Sequence, residues 1–295
     1  MISFIILNYN THLLTLRCIE SILAHPPQMP YEILVVDNHS PQEDLEALRQ
    51  GIHTPDIRII ESKQNTGFGT GNMLGANFAK GEFLCFLNSD IVLPEDSVSP
   101  LCNYLTQHPE VGCITPQQYN DRQQLVPSFN HAPGIRHEVF GKKLLEHICP
   151  HRYPKRKGIL YTKPFHVTQI NGCFMLFPAD KFRAIGGFDI NIFLYYEEYD
   201  VCKRLAQKGW KSTVHPQYRF LHLHGASTSN IRSLAYRELY ISKMYCYRKH
   251  HNLIKSTIYR LIHIIKLSVS PRRWHLLPIV CRGESLSRSM RHSVQ

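Results

Sequence analysis

A short polar segment, Asn88-Ser89-Asp90, ends an apolar run and is the feature of this chain most suggestive of chemistry. The run over residues 83–87 has the composition of a strand buried on both faces. In open α/β sheets, ligands bind just beyond the carboxyl ends of the strands. A carboxylate there suits a divalent cation that carries a diphosphate. An Asx turn that merely ends the strand would use the same residue types.

A second concentration of carboxylates, Glu197 and Glu198, follows the aromatic pair Tyr195-Tyr196 and opens a predicted helix. Adjacent carboxylates near aromatic side chains are costly to remove from water, which favours a chemical use for them. The alternative is a pair of acids in the first helical turn that only complements the helix dipole.

The N-terminal half has the pattern of elements that would position these groups. Apolar runs at residues 2–7, 32–36 and 57–61 predict strands, and helical spacing predicts helices at residues 13–23, 45–49 and 73–79. Thr11 is the predicted N-cap of the first helix. Residues 65–72 are predicted to form a Gly-rich loop that leads into the third helix. Strands that alternate with helices predict an α/β fold with a parallel, Rossmann-like sheet.

The second half is less regular. We expect a helix at residues 98–107 and strands at residues 111–115 and 167–177, followed by helices at residues 181–185 and 197–208. Residues 120–165 are polar and Pro-rich and are expected to be irregular, a place suited to acceptor recognition.

Composition excludes several classes of protein. A chain of 295 residues with 43% hydrophobic residues can bury a substantial core and is not disordered. Its nine cysteines include no Cys-x-x-Cys pair, which favours buried thiols over disulfides or a zinc site. We expect neither a signal peptide nor a membrane-spanning segment.

The net charge of +11 comes from the C-terminal segment. Residues 231–295 contain thirteen Lys/Arg and two Asp/Glu, whereas residues 1–230 contain 21 of each class. The apolar residues Ile258, Leu261, Ile262, Ile265 and Val269 fall on one face of a predicted helix. Such a basic helix can lie at an anionic membrane surface; the alternative is a helix packed on the body with its basic face in water. No aromatic-interleaved basic motif accompanies the charge, so nucleic acid is not an expected partner.

Seven segments in a fixed order resemble the family-2 glycosyltransferases, in particular bacterial rhamnosyltransferase-like members. They are residues 5–10, 35–40, 65–72, 86–90, 186–189, 195–200 and 222–227. The resemblance implies a GT-A fold, with a nucleotide-sugar-binding half at residues 1–115 and an acceptor-binding, catalytic half of the same domain at residues 116–230. Residues 231–295 would form a basic helical appendage.

The resemblance also implies roles for the motif residues. Those expected to contact the nucleotide sugar are Asn8, Asn10, Asp37, Asn65, Gly67, Asn72 and Asn88. Asp90 matches the carboxylate that binds Mg²⁺ or Mn²⁺, and Asn88 stands where the family often has a first Asp. His222 is the expected second metal or phosphate contact, with His224 as the alternative.

By the same resemblance, Glu198 occupies the position of the general base, where the family usually has Asp. Burial beside Glu197 would raise the pKa of Glu198 toward a useful value, and Glu197 is expected to orient acceptor hydroxyls.

The implied activity is inverting, metal-dependent transfer of rhamnose or a hexose from a dTDP- or UDP-sugar. The acceptor would be a growing cell-surface polysaccharide or lipid-linked glycan at the cytoplasmic face of the inner membrane. A sugar nucleotidyltransferase and a catalytically degenerate nucleotide-sugar-binding protein are the alternatives.

Overall fold

The computed structural model describes residues 1–223, 232–282 and 289–290, which contain a mixed sheet of ten strands flanked by helices and a separate sheet of two short strands, Phe129–Asn130 and Gln169–Ile170. The strands are β1 (Ile2–Asn8), β2 (Tyr31–Asp37), β3 (Ile57–Glu61), β4 (Phe83–Asn88), β5 (Ile91–Val92), β6 (Val111–Tyr119), β7 (Leu125–Val126), β8 (Phe129–Asn130), β9 (Phe165–Val167), β10 (Gln169–Ile170), β11 (Phe174–Pro178) and β12 (Lys211–His222). The helices are α1 (His12–Ala24), α2 (Gln42–Gly51), α3 (Gly67–Phe78), α4 (Val98–Gln107), α5 (Ile135–Phe140), α6 (Lys142–Ile148), α7 (Ala179–Ala184), α8 (Glu197–Gln207), α9 (Arg232–His250), α10 (Leu253–Ser268) and α11 (Leu277–Cys281), with a 3₁₀ helix at Pro271–Leu276.

The strand order β3-β2-β1-β4-β11-β6-β12-β5 joins the two halves of the chain in one sheet. Strands β1 to β4 are parallel to one another, as the alternation of strands and helices predicts. Strand β11 runs antiparallel between β4 and β6, and β12 is parallel to β6. The sheet is therefore continuous from the predicted nucleotide-binding half into the predicted catalytic half.

Alternate residues of the central strands enter two hydrophobic cores, one on each face of the sheet. Cys85 and Leu87 of β4 join a core with α1, α2 and α4, whereas Leu84 and Phe86 join a core with α7 and α8. This two-sided burial explains why β4 reads as an uninterrupted apolar run, because neither of its faces meets water.

The Gly-rich segment is helical, and its description as a loop is wrong. Helix α3 begins at Gly67, six residues before the predicted start. A Cβ at Gly71 would lie 2.5 Å from Leu7, and one at Gly75 would lie 2.6 Å from Ile5. The glycines let the helix approach β1 closely. Thr11 precedes α1 as predicted, but its side chain makes no capping hydrogen bond.

Three further predictions need correction. Residues 120–165 are not wholly irregular, since they contain the short helices α5 and α6 and the strands β7 and β8. The strand predicted at residues 167–177 is divided among β9, β10 and β11. Strand β12 was not predicted; Pro216 and a register shift between His215 and Arg219 interrupt its pairing with β6.

The C-terminal helices pack on the body through α9 and α10. In α10 the buried residues are Tyr259, His263 and Leu267, so the predicted apolar face is not the one that packs on the body. Helix α10 therefore packs on the body with basic residues in water, as the alternative expected, but it packs through this other face. Within the described residues, no helix combines the length and apolar character required to cross a bilayer.

Candidate active site

The predicted polar residues of the first strands lie along one edge of the sheet. Asn8 of β1 pairs in register with Asp37 of β2, and Leu7 pairs with Asn88 of β4. Asp90 follows two residues after the end of β4. Because these strands are parallel, their carboxyl ends meet, which is where open α/β sheets bind ligands.

Asn8 is fully buried, and both ends of its side-chain amide are used inside the protein. Its nitrogen donates to Asp37 Oδ1 at 2.8 Å and to Asp44 Oδ2 at 3.0 Å. Its oxygen accepts from the hydroxyls of Thr11 and Thr15 at 3.2 and 2.7 Å. The side chain of Asn8 therefore orients the Asp37 carboxylate, and its amide is already occupied by protein groups.

The other two residues of this edge differ in accessibility. Asp37 is 2% exposed, and its second carboxylate oxygen accepts from the backbone N–H of Ser40 at 3.0 Å. Asn10 is exposed and has a left-handed backbone with φ of 56°, a conformation that Asn tolerates better than most residues. Asn10 can reach a ligand without rearrangement of the core.

Asn65 and Gly67 shape the start of α3. Asn65 Oδ1 accepts from Asn38 Nδ2 and from the Gly67 N–H, each at 3.0 Å. Gly67 has φ of 80°, and a Cβ at this position would lie 2.1 Å from the carbonyl oxygen of Phe193. The same carbonyl accepts from the Phe68 N–H at 2.8 Å. Thus the start of α3 packs closely against the loop before α8.

Asn72 lies within α3 and is 1% exposed. Its side-chain nitrogen donates to the carbonyl of Phe68 at 3.0 Å, while its oxygen has no hydrogen-bond partner among the described residues. Leaving a buried acceptor without a hydrogen bond lowers stability by about 1–3 kcal/mol. A ligand that donates a hydrogen bond to Asn72 Oδ1 would recover that free energy.

Asp90 and His222 face each other, with Nε2 of His222 3.1 Å from Oδ1 of Asp90. Burial alone lowers the pKa of His222, but its hydrogen bond with Asp90 raises that pKa to about 10. A doubly protonated ring needs a hydrogen-bond acceptor beside Nδ1. The group found there is the Gln118 amide nitrogen, a donor, at 3.1 Å. This contact fits a neutral ring, in which Nδ1 accepts. We prefer the neutral ring because Asn171 donates to Gln118 Oε1 at 3.1 Å and so fixes the amide orientation.

Residues 171–173 lie between this pair and α8. Besides the contact of Asn171 with Gln118, the Cys173 carbonyl accepts from the Asn88 N–H at 3.0 Å. A Cβ at Gly172 would lie 3.8 Å from Glu198 Oε2. The segment therefore lies against the end of β4 on one side and against Glu198 on the other.

The backbone before α8 is held in an unusual conformation. Tyr195 and Tyr196 have φ of 68° and 72°, and a left-handed conformation costs a non-glycine residue about 1–2 kcal/mol. Ser242 of α9 donates to the Leu194 carbonyl at 2.8 Å, which helps to fix this turn. Strain of this kind concentrates at functional sites, and here it sets where Glu197 and Glu198 begin the helix.

The two glutamates have different surroundings. Glu198 Oε1 accepts from Gln169 Nε2 at 3.0 Å, and burial raises the pKa of Glu198 despite this bond. Burial and the charge of Glu198 raise the pKa of Glu197 well above its ordinary value. Glu197 is 3% exposed and lies beside Gly69 of α3, and its Oε1 has no hydrogen-bond partner among the described residues.

Glu198 opens onto a cavity of about 520 Å³. The other described residues that line it are Asn130, His131, Pro133, His137, Glu138, Gly141, Lys142, Gln169, Tyr195, Tyr196, Leu239 and Lys243. Four of these, His131, His137, Lys142 and Lys243, can carry positive charge. Asp90 and His222 are not among the described lining residues, so the cavity belongs to the Glu198 side of segment 171–173.

The residues near the end of β4 fit a divalent cation. Asp90 supplies a carboxylate and His222 an imidazole, ligand types that suit Mn²⁺, whereas Mg²⁺ prefers oxygen alone. Asn88 Oδ1 is buried and has no hydrogen-bond partner among the described residues. The described part of the chain contains no group of three or more His, Cys, Asp or Glu that could hold a metal ion. His224 lies outside the described residues.

Sequence reasoning missed several residues of the site. Gln118 and Gln169 contact His222 and Glu198, and α5 and α9 contribute lining residues from distant parts of the chain. The buried pair Gln117-Gln118 continues an apolar strand, a pattern that could have drawn attention to Gln118. Nothing in the sequence indicates that Lys243 of α9 reaches the cavity.

Comparisons with known proteins agree with this geometry. Residues 3–184 match the family model described as Glycosyl transferase family 2, which is more than half of the chain. An N-acetylglucosaminyl-diphospho-decaprenol L-rhamnosyltransferase of Mycobacterium tuberculosis is 24% identical over 221 residues, covering 70% of this chain and 71% of that protein. The low-salt glycan biosynthesis hexosyltransferase Agl10 of Haloferax volcanii is 27% identical over 177 residues, or 59% of this chain and 52% of that protein.

Solved structures show the same fold at low sequence identity. GalNAc-T7 with UDP, GalNAc and Mn²⁺ superposes with a TM-score of 0.61 at 18% identity, covering 89% of this chain and 54% of that chain. The mannosyltransferase PcManGT of Pyrobaculum calidifontis, in complex with GDP-Man and Mn²⁺, gives 0.62 at 14% identity, covering 97% and 76%. This chain thus spans about half the length of the first structure. The fold is that of the GT-A glycosyltransferases.

Proposed function

Because this chain belongs to glycosyl transferase family 2, we propose that it is a metal-dependent, inverting hexosyl- or rhamnosyltransferase that uses a UDP- or dTDP-sugar. One observation carries the proposal. The Cys173 carbonyl accepts from the Asn88 N–H at the end of β4, and a Cβ built on the neighbouring Gly172 would lie 3.8 Å from the carboxylate of Glu198, which lines the cavity. A donor diphosphate beside Asp90 and an acceptor hydroxyl beside Glu198 would then meet across a single short segment.

Glu198 is the general base in this proposal. Its carboxylate takes the proton of the acceptor hydroxyl while the acceptor oxygen forms a bond to the anomeric carbon of the donor. The bond from that carbon to the diphosphate oxygen breaks, and the electron pair leaves with the nucleoside diphosphate. The raised pKa of Glu198 brings its basicity closer to the working pH, which favours general-base catalysis.

Glu197 has a positioning role in this mechanism. It is nearly fully buried beside α3, and its raised pKa favours the protonated form. When Glu197 is protonated it is uncharged, so no second negative charge lies beside Glu198. Its carboxyl group can then hydrogen-bond to a sugar hydroxyl.

Asp90 and His222 would hold the divalent cation, which when bound supplies positive charge against the diphosphate leaving group. For Nε2 of His222 to bind the cation, the ring proton must lie on Nδ1, so the Gln118 amide that contacts Nδ1 would have to turn and present its oxygen there. Asn88 stands where the family often has Asp, and its unpaired buried oxygen is available to the metal or to a ribose hydroxyl.

The nucleoside would lie along the edge formed by β1 and β2. Asp37 would accept from the imide N–H of uracil or thymine, with Asn8 holding its carboxylate. Asn10 would contact the nucleotide from the exposed loop. Asn65 and Gly67 shape the start of α3, and the unpaired oxygen of Asn72 is a candidate acceptor for a donor-sugar or ribose hydroxyl.

The proposed acceptor is a glycan of the cell surface or its lipid-linked precursor. The name of the mycobacterial relative specifies a sugar on a polyprenyl diphosphate, and Lys142 and Lys243 in the lining of the present cavity could pair with an anionic group of such an acceptor.

The test is release of nucleoside diphosphate from a panel of nucleotide sugars, with Mn²⁺, with Mg²⁺ and with a chelator. We expect metal-dependent turnover of a UDP- or dTDP-sugar by the full chain. Asp90→Asn should lose turnover and metal-dependent thermal stabilisation by the donor, whereas Asp56→Asn at an exposed site should retain both. Donor binding without any turnover would identify the degenerate binding protein instead, and binding of nucleoside triphosphate with pyrophosphate release would identify the nucleotidyltransferase.

A further inference from the structure

Helix α10 carries an apolar stripe on its outer side. Ile254, Ile258, Leu261, Ile265 and Val269 follow one another at intervals of three or four residues, and their exposed fractions range from 42% to 77%. This spacing keeps them on one side of the helix. A continuous exposed stripe of five aliphatic side chains is unusual for a surface that meets only water.

The orientation of α10 is fixed by its opposite face. Tyr259, His263 and Leu267 are buried there, and the Tyr259 ring stacks on Tyr247 of α9 with centroids 3.7 Å apart. Tyr259 also donates to Glu138 Oε1 at 3.2 Å. The apolar stripe therefore cannot turn inward without breaking the packing that holds the helix to the body.

A second exposed apolar group lies on α5, which packs against α10, and on α6, which follows α5. Val139, Phe140, Leu144 and Ile148 have exposed fractions from 47% to 59%. Helix α5 is tied to α10 because Lys266 donates to the Glu138 carboxylate at 2.6 Å and to the Glu138 carbonyl at 2.7 Å. Together, the α10 stripe and these four residues form what we call the docking face.

The residues beyond the apolar stripe are cationic. Lys255 at the start of α10 and Arg272, Arg273 and Arg282 after its end are exposed. Trp274 is 54% exposed, and its indole N–H donates to the Ser268 carbonyl at 2.9 Å. Aliphatic residues bordered by Arg, Lys and Trp are typical of helices that lie in the interface of an anionic bilayer.

The docking face also adjoins the cavity that contains Glu198. Helix α5 contributes His137 and Glu138 to the cavity lining, and Gly141 and Lys142 continue it to the start of α6. The same short helices thus present apolar residues outward and polar residues to the cavity. An acceptor attached to a lipid could reach Glu198 from the bilayer side of the molecule.

We propose that the docking face binds the surface of an anionic bilayer, and that the cavity beside it takes its acceptor from that surface as a lipid-linked glycan. The part that concerns the acceptor rests on the proposed transferase function, whereas the bilayer contact does not. Charge decides between a bilayer and a second copy of the chain, since two copies of a cationic face repel each other and anionic headgroups attract it.

Flotation of the full chain with lipid vesicles tests the bilayer contact. We expect strong binding to phosphatidylcholine mixed with phosphatidylglycerol and weak binding to phosphatidylcholine alone. Leu261→Gln/Ile265→Gln and Phe140→Gln/Leu144→Gln should each lower the partition coefficient by roughly tenfold or more, because each pair removes two aliphatic or aromatic side chains from the apolar contact. Leu13→Gln/Leu23→Gln, which alters two exposed leucines of α1, should leave it unchanged.

A second pair of variants tests the charges. Lys255→Gln/Arg272→Gln should weaken binding to the anionic vesicles by about fivefold per residue, while Lys63→Gln/Lys80→Gln at exposed sites of the N-terminal half should not. All variants change exposed side chains, and equal thermal unfolding midpoints would show that each remains folded.

Equal vesicle binding by the wild-type chain and both docking-face variants would overturn the proposal. So would a concentration-dependent dimer that Leu261→Gln/Ile265→Gln dissociates, since the face would then join two copies. Donor hydrolysis in solution serves as the separate readout for the transferase. Donor hydrolysis should be unchanged in the docking-face variants. If the wild-type chain shows no donor hydrolysis, that result would count against the transferase function and not against the bilayer contact.

Discussion

Replacement of Glu198 by Gln is the sharpest test of the proposed chemistry. The amide has nearly the same size as the carboxylate, and its oxygen can still accept from Gln169 Nε2, which lies 3.0 Å from Glu198 Oε1. The substitution removes the proton acceptor and leaves that contact in place. Since burial raises the pKa of the native carboxyl group, loss of the buried charge should not lower stability.

The expected size of the effect follows from the role. A positioned general base contributes about 10²–10⁴-fold to a rate, which corresponds to about 3–5 kcal/mol of transition-state stabilisation. We therefore expect kcat to fall by at least two orders of magnitude in Glu198→Gln. The KM for the donor should change little, because the donor is proposed to bind on the Asp90 side of segment 171–173.

The assay is steady-state transfer, followed by release of nucleoside diphosphate in the presence of acceptor. Glu197→Gln is the matched control, since Glu197 is adjacent but faces α3 instead of the cavity. Its rate should fall less than that of Glu198→Gln, and its stability at neutral pH should rise, because the buried carboxyl group no longer has to remain protonated against the solvent. Equal kcat in Glu198→Gln and the wild type, or a larger loss in Glu197→Gln, would refute the assignment of the base.

Three further predictions concern pH dependence and stability. Because burial raises the pKa of Glu198, the acid limb of a kcat/KM profile should lie above the ordinary pKa of glutamate; a limb at the ordinary value would contradict this. Gly67→Ala should lower the free energy of unfolding by about 2 kcal/mol or more in urea titrations, since a left-handed Ala costs about 1–2 kcal/mol and its Cβ would meet the Phe193 carbonyl. Burial alone raises the pKa of Asp200, but His250 and Arg204 lower it to about 2, so this carboxylate stabilises the fold above pH ~4 and loses that effect as the pH falls toward ~2. Asp200→Asn should therefore cost about 2 kcal/mol at neutral pH, as measured by chemical unfolding, and little at the lowest pH.

The N-terminal sheet could be predicted because its strands are buried on both faces and its helices have regular spacing. The prediction that failed there, a loop in place of the start of α3, failed for a physical reason. Glycine has low helix propensity, so a Gly-rich segment favours a loop until tertiary packing decides otherwise. Here Gly71 and Gly75 are required by the close approach of α3 to Leu7 and Ile5 of β1.

The candidate site was predicted where motif residues follow strands and remained hidden where it depends on long-range packing. Asp90 and His222 lie 3.1 Å apart although 132 positions separate them in the chain, and only the resemblance indicated that they belong together. Gln118, Gln169 and Lys243 take part through pairings of β6, β10 and α9 with the rest of the fold. Such pairings leave no local pattern in the sequence.

The positive charge of the C-terminal segment serves two physical purposes, which a count of residues cannot separate. On α9, Lys249 contacts the carboxylates of Asp189 and Asp200, each at 2.7 Å, and Lys243 contacts Glu138 at 3.1 Å. Lys249 ties α9 to α8 through Asp200, and Lys243 ties α9 to α5 through Glu138.

The cations at the ends of α10 are different because they are exposed beside an aliphatic stripe that already faces outward. Removal of α9 charges should therefore destabilise the fold, whereas removal of those near α10 should leave the fold intact and change only the affinity for anionic surfaces. The two groups of charges are adjacent in sequence, and burial distinguishes them: one group pairs with carboxylates inside the fold, and the other faces outward, where we propose the bilayer contact.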